Sequence, residues 1–575
     1  MPSVVHVTHE AIHASGGISS VLRGLITSPA YAQRIGRTLL LGPVADPDLP
    51  EPLGPGGTII YDQGRGIWSA EVGPALSQVE LRWGVRLLYG WRLMETPGGR
   101  VGVEVLLVDV RQAPHGLGEF KYHLFQRLSL DSRRHEAVWE YEQYLRLAEP
   151  GLDGIRALLG EEQYPCFLIA HEFMGLGTVY KALLDQDRRF ATVFYAHEVA
   201  TARLITEAHP GHDVMFYNAL RGARQAGVYL ETVFGPQDGY FKHALIRQAW
   251  RCDGVFGVGD WVLEELRFLG PEFAGRQLDL VYNGVPAAPL PLAQKEEARG
   301  RLRAYAQSLL GWAPDLVFTH VARLVTSKGL WRDLMVLEQL DPLLAAAGRS
   351  AVFVVLATEG ARRDPASVAR MAGEYGWPLV HREGAPDLNG RELDFDLLVR
   401  AFNTRSRAVK VLFVNQFGWD QASCGPPMSA QMRFADLRQG SDAEFGLSIY
   451  EPFGIAQVEP LSYGAISVVS DVCGCVGFVK GVGPLPGGFL QGDYTRLPVT
   501  PDWRAALGLG AAERREAEVR TSGELARALA QRLPRGPRQS ERLLAEGYQT
   551  AKRMSWERVV QEYLLPALQR IAPPG

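Results

Sequence analysis

Short apolar runs recur along the chain, closed by glycine, proline or polar clusters, and longer stretches with apolar residues at helical spacing separate them. This alternation is the pattern of parallel sheets joined by crossover helices. It predicts strands at residues 4–8, 38–41, 103–108, 167–170, 192–195, 254–257 and 280–282 in the first half. In the second half it predicts strands at 317–321, 352–356, 409–414, 445–448 and 467–470. Between the two groups lies Val285-Pro286-Ala287-Ala288-Pro289-Leu290-Pro291, a proline-rich stretch of the kind found at domain boundaries. Residues 375–438 carry one strand but also Gly418-Trp419-Asp420 and Cys424-Gly425-Pro426-Pro427, and are expected to form a core with an elaborated surface insertion. A charged, solvent-facing helical stretch is expected over 511–538. The last helix, over 554–565, has apolar residues at helical spacing and Ser555 as its N-cap.

Length and composition agree with this division. A chain of 575 residues exceeds one ordinary core, and 46% hydrophobic residues exclude wholesale disorder. Sixty Lys and Arg stand against 64 Asp and Glu, a formal charge of −4, which offers no electrostatic footprint for nucleic acid. Five scattered cysteines suit reduced thiols in a cytoplasm. Cys473-Gly474-Cys475 has no second pair beside it and reads as small buried residues. The N-terminus lacks the charged and apolar regions of a signal peptide, and no apolar run is long enough to span a bilayer.

The richest segment is Glu451-Pro452-Phe453-Gly454-Ile455-Ala456-Gln457-Val458-Glu459. It reads as strand, tight glycine turn and a helix starting near Ile455. Backbone N–H groups and the helix dipole at that turn would face an anion. Glu451 and Glu459 accept hydrogen bonds from hydroxyls, so the segment suits a nucleotide sugar. Arg323 and Lys328 share the loop after the first strand of the second half. One supplies a planar fork for phosphate oxygens and the other a mobile point charge.

In the first half, Gly16-Gly17 follows the first strand and opens a helix, allowing close backbone approach to a ligand. His171 with Glu172, and His197, each end an apolar run and point from a strand edge toward a ligand cleft. No H-E-x-x-H, P-loop, G-x-S-x-G or G-x-G-x-x-G motif occurs, so neither a metal site nor a nicotinamide cofactor is indicated. Asn283-Gly284 is the dipeptide of a turn.

Taken in order, Gly16-Gly17, His197, Asn283-Gly284-Val285, Arg323 with Lys328-Gly329, and Glu451 with Glu459 resemble the retaining GT-B glycosyltransferases, nearest the glycogen and starch synthase group. Lys121-Tyr122-His123-Leu124-Phe125 and Ala170-His171-Glu172-Phe173 are similar to elements of those synthases, with Phe173 where they carry Trp. Ala14-Ser15 stands where the bacterial synthases carry Lys before the glycine pair.

The resemblance implies α/β architecture with two Rossmann-like doubly wound domains facing across a cleft. Residues 1–285 would form the acceptor domain, 286–545 the donor domain, and 546–575 a helix crossing back to the first. It implies retaining, metal-independent transfer of a hexosyl group, read as glucosyl, from a nucleotide diphosphate sugar to a glycan acceptor. No cofactor is implied beyond that donor substrate. His197, Arg323, Lys328 and Glu451 would be catalytic. Gly16, Gly17, Asn283, Arg323, Lys328, Gly454, Ile455 and Glu459 would hold the donor, with His171, Glu172 and Tyr122 on the acceptor side. A transferase acting on a small or non-glucan acceptor stays open. So do a phosphorylase or epimerase of the same architecture and a non-catalytic nucleotide-sugar or glycan binder.

Overall fold

The computed structural model describes every residue except 13–15, 45, 47, 97–98, 361, 383, 500–501 and 573–575. The chain is α/β and divides into two compact units, each built on one sheet.

The first unit comprises Met1–Thr201, Gly227–Gly284 and Trp556–Gly575. Its strands are β1 (Ser3–Val7), β2 (Arg37–Pro43), β3 (Thr58–Tyr61), β4 (Leu87–Thr96), β5 (Gly99–Val108), β6 (Cys166–His171), β7 (Phe190–Ala196), β8 (Gly254–Gly257) and β9 (Asp279–Leu280). They lie in the order β3-β4-β5-β2-β1-β6-β7-β8-β9. From β5 to β9 every neighbouring pair is parallel, while β3 and β4 add an antiparallel extension. β6 and β7 are buried at every residue, as strands are when helices cover both faces.

The second unit comprises Ala202–Ala226 and Val285–Ser555. Its strands are β10 (Leu316–Arg323), β11 (Ala351–Thr358), β12 (Val409–Val414), β13 (Ala443–Gly446), β14 (Ile466–Ser470) and β15 (Phe489–Gly492). All pairs are parallel in the doubly wound order β12-β11-β10-β13-β14-β15. Successive residues feed opposite faces. Phe318, Phe353, Val355 and Phe413 enter one core; Val317, Val352, Val354 and Leu412 enter the other.

Four segments differ from the sequence expectation. Residues 375–438 are not a surface insertion. They supply the edge strand β12 and put Trp377, Trp419, Met428 and Met432 into the second core. The helix Ala511–Arg532 faces solvent on one side only, because Leu525, Ala526 and Leu529 pack onto the sheet.

Residues 202–226, expected in the first domain, belong to the second. There Arg332 Nη1 and Nη2 donate to Asp213 at 2.8 and 2.7 Å, and Arg332 Nε donates to Glu518 Oε1 at 2.9 Å. The C-terminal part of the first unit begins at Trp556 rather than 546. It runs as a helix over Trp556–Val559, a π-helical turn over Val560–Leu564 and a helix over Leu565–Ile571. Pro566 lacks the N–H that would continue the α ladder, which accounts for the wider turn before it.

Candidate functional site

In the second unit the strand order reverses between β10 and β13, so loops leaving their carboxyl ends diverge and frame a crevice. The two loops are also locked together. Gly329 has φ +61°, and a Cβ there would lie 2.4 Å from the Leu447 carbonyl oxygen, so only glycine fits. The Ile449 N–H donates to the Ser327 carbonyl at 2.8 Å, and the Ser327 N–H donates to Glu207 Oε1 at 3.1 Å.

This lock brings Lys328 to Glu451. Lys328 Nζ donates to Glu451 Oε2 at 2.5 Å, and Gln457 Nε2 donates to the same oxygen at 3.4 Å. Arg323 ends β10 where the same loop begins and is exposed; its carbonyl accepts from the Val325 N–H at 2.9 Å, while its guanidinium has no hydrogen-bond or ion-pair partner among the described residues.

Gly454 has φ +90° and precedes a helix of only four residues, Ile455–Val458, which gives way to a 3-10 turn over Glu459–Tyr463. The expected helix does start at Ile455, but one turn sums few peptide dipoles. Its free N–H groups, not a macrodipole, are what it offers a ligand. Glu459 is held from behind: Arg438 Nη2 donates to Glu459 Oε2 at 3.3 Å while Arg438 Nη1 donates to Glu444 Oε1 at 2.9 Å. Arg323, Lys328, Glu451, Gly454, Ile455 and Glu459 therefore lie at or after the carboxyl ends of β10 and β13 in one unit.

The first unit has its own constellation. Gly16 caps the helix Gly17–Ile26, and the Glu10 carboxylate folds over that end. Glu10 Oε2 accepts from the Gly16 N–H at 3.2 Å and from the Ser19 N–H at 2.7 Å. An internal carboxylate thus occupies the helix N-terminus that the glycine pair was expected to offer to a ligand. Ala14-Ser15 lie outside the described residues.

His171 and His197 are joined: His171 Nδ1 and His197 Nε2 are 2.8 Å apart. Behind them, His171 Nε2 meets His6 Nδ1 at 2.8 Å, and His6 Nε2 meets the Tyr31 hydroxyl at 3.1 Å. Burial lowers all three imidazoles well below their ordinary pKa, His6 and His197 to about 3. Glu172 adopts φ +62° and is buried; its Oε1 accepts from the N–H groups of His197 and, at 2.7 Å, of Glu198. Burial, with the charge of Glu198 beside it, raises the Glu172 carboxyl to about 8. His171 therefore grips the side chain of His197 while Glu172 grips its backbone.

Two other candidates stand elsewhere. Asn283 is buried, with no partner for Oδ1. Asn283-Gly284 is not a turn; a Cβ on Gly284 would lie 2.6 Å from the Trp556 nitrogen, so glycine lets the C-terminal segment approach. Tyr122 is 55% exposed on the helix Leu117–Leu128, where its hydroxyl accepts from Gln126; no hydrogen bond joins it to His171 or Glu172. Glu10, His6, Tyr31, Glu207 and Gln457 were not anticipated. Only His6 carried a signal, as the one ionisable residue inside a fully buried strand. Among the described residues no cluster of His, Cys, Asp or Glu suits a metal, and no helix is long and apolar enough to cross a membrane.

No family model and no curated protein matches the chain. Solved structures do. It is similar to the catalytic domain of starch synthase IV from Arabidopsis thaliana bound to ADP and acarbose, at 13% identity, over 100% of both chains, with a TM-score of 0.49. It is similar to a UDP-forming α,α-trehalose-phosphate synthase from Burkholderia xenovorans in complex with glucose-6-phosphate, at 12% identity over 98% of this chain and 99% of that, TM-score 0.49. A sucrose-phosphate synthase from Thermosynechococcus elongatus matches at 13% identity over 99% and 98%, TM-score 0.44. Starch synthase IV belongs to the group the sequence resembles; at such identities and TM-scores no reaction is read from any of the three.

Proposed function

We propose that the chain is a GT-B glycosyltransferase moving a hexosyl group, read as glucosyl, from a nucleoside diphosphate sugar to a hydroxyl of a glycan or small acceptor. The observation that carries this is Arg323. A guanidinium without a partner stands at the switch point of a doubly wound parallel sheet, at the start of the loop that also presents Lys328 to Glu451.

When the bond between the anomeric carbon and the phosphate oxygen breaks, negative charge grows on the departing diphosphate. The Arg323 fork matches phosphate oxygens in pairs, and Lys328 adds a second positive charge on a flexible stem. Fixed cations at that point stabilise the transition state more than the ground state. Once Lys328 turns to the phosphate, the Glu451 carboxylate is free to accept from sugar hydroxyls, and the backbone N–H groups after Gly454 add donors. Glu459 is assigned to the ribose. His197 is assigned to the transferring sugar. Retention at the anomeric carbon and independence of a metal follow from the sequence resemblance and belong to the same proposal.

A thermal-shift panel of UDP-, ADP- and GDP-sugars tests the donor class, because a ligand that binds only the folded state raises the melting temperature. At least one is expected to raise it; a panel that leaves melting unchanged at millimolar ligand contradicts the proposal.

A further inference from the structure

Tyr31, His6, His171 and His197 form a continuous line across the first unit. The four residues come from the helix Pro29–Arg34, from β1, from the end of β6 and from the loop after β7. The contacts are 3.1, 2.8 and 2.8 Å. Tyr31, His6 and His171 are fully buried, whereas His197 is half-buried, and its Nδ1 has no partner among the described residues. At the far end, Thr38 Oγ1 lies 3.2 Å from the Tyr31 hydroxyl and donates to it.

A neutral imidazole has one N–H and one bare nitrogen. In a line of neutral imidazoles, the direction of one hydrogen bond therefore fixes all the others. Burial keeps the three rings neutral. The direction is set at the Tyr31 end. A phenol O–H is a far stronger acid than an imidazole N–H, and a bare imidazole nitrogen is a far better acceptor than a phenol oxygen. Tyr31 therefore donates to His6 Nε2. His6 then carries its proton on Nδ1 and donates to His171 Nε2, and His171 donates from Nδ1 to His197 Nε2.

We infer that this line is a tautomer relay that makes His197 present an Nδ1–H donor, not a bare nitrogen, at the carboxyl end of the sheet. Tyr31, His6 and His171 act through His197 and are positioning residues. The consequence for the proposed reaction is specific. His197 is built to donate a hydrogen bond to an oxygen of a bound sugar, and it cannot serve as a general base at Nδ1 while that nitrogen carries its proton. This consequence rests on the transferase proposal; the relay itself does not.

The test is ¹⁵N NMR of the full-length protein labelled at histidine, with single His→Asn variants at 6, 171 and 197 assigning the signals. The relay predicts that all three rings carry the proton on Nδ1, the reverse of the Nε2–H form that free histidine favours, from pH 8 down to pH 5.5. It also predicts that Tyr31→Phe, which removes one hydroxyl, returns His197 at least partly to the Nε2–H form. An Nε2–H signal for His197 in the unmodified protein overturns the inference, whatever the variants do. So does a Tyr31→Phe protein of unchanged melting temperature whose three tautomers stay as they were. Because no substrate is present, failure here leaves the donor proposal standing, and failure of the donor panel leaves the relay standing.

Discussion

The Lys328 ammonium and the Glu451 carboxylate meet at 2.5 Å across the point where the strand order of the second sheet reverses. Their side chains are 20% and 9% exposed, so the pair is screened less than a surface salt bridge. Each group thereby fixes the position of the other between the two loops.

That pairing makes the two residues energetically coupled. In a double-mutant cycle of Lys328→Met and Glu451→Gln followed by urea unfolding, the coupling should fall in the range of roughly 0.5–3 kcal/mol. Each single variant should also lose donor turnover by about a hundredfold or more. Additive stabilities would show that the contact carries no energy.

The glycine pair of the first unit separates two roles. A Cβ on Gly16 would sit 2.3 Å from Glu10 Oε1, whereas one on Gly17 meets nothing within 4 Å. Gly16→Ala should destabilise by about 1–3 kcal/mol, since the carboxylate must leave the helix end. Gly17→Ala should change stability by no more than about 0.5 kcal/mol. Equal urea midpoints for the two variants would contradict the Glu10 cap.

Arg332 has no exposure and binds Asp213 and Glu518 together. Arg332→Met leaves Asp213 buried without its cation and Glu518 with Arg514 Nε, at 3.6 Å, as its only cation, and should cost about 3–5 kcal/mol. The loss should show in the urea midpoint and as faster proteolytic cleavage within 202–226. An unchanged midpoint would mean that the segment is held by its other contacts, such as Asn218 Nδ2 to the Thr495 carbonyl at 2.9 Å, and not by this ion pair.

The buried imidazoles predict an acid limb in the stability profile. His6 is held at about 3, against 6.5 in the open chain. Between those values the unfolded chain binds a proton that the folded one excludes. The stability is therefore full above pH 6.5 and falls as pH drops toward 3, by about 1.4 kcal/mol per pH unit for one such group. His6→Gln removes that contribution, so melting temperature should fall less steeply between pH 6.5 and 4.5 than in the unmodified protein. Parallel curves would contradict the burial of a neutral His6.

The parallel core was legible because β6, β7, β11 and β12 are apolar throughout or nearly so, and such runs have no other stable place. β3 and β4 were not, since the outer half of β4 is partly exposed and Gly90-Trp91-Arg92 breaks its apolar character. The allegiance of 202–226 was hidden as well, being decided by Arg332 and Asp213, which stand 119 residues apart.

The site divides in the same way. Arg323, Lys328 and Glu451 announce themselves as charged residues at or just past strand ends. The link from His6 to His171 spans 165 residues and appears only when β1 and β6 pair in register. Glu10 was invisible for a different reason: nothing marks a glutamate as a cap for a helix opened by glycine.

The most direct measurement is the release of nucleoside diphosphate by Arg323→Ala, with UDP-, ADP- and GDP-glucose as donors. Arg323 is exposed and unpartnered, so the variant should melt within about 0.5 kcal/mol of the unmodified protein. In Arg323→Ala, kcat on the productive donor should fall by about 10²–10³, with partial recovery in Arg323→Lys. Full activity in a folded Arg323→Ala protein, on every donor that the unmodified protein uses, would contradict the proposed function.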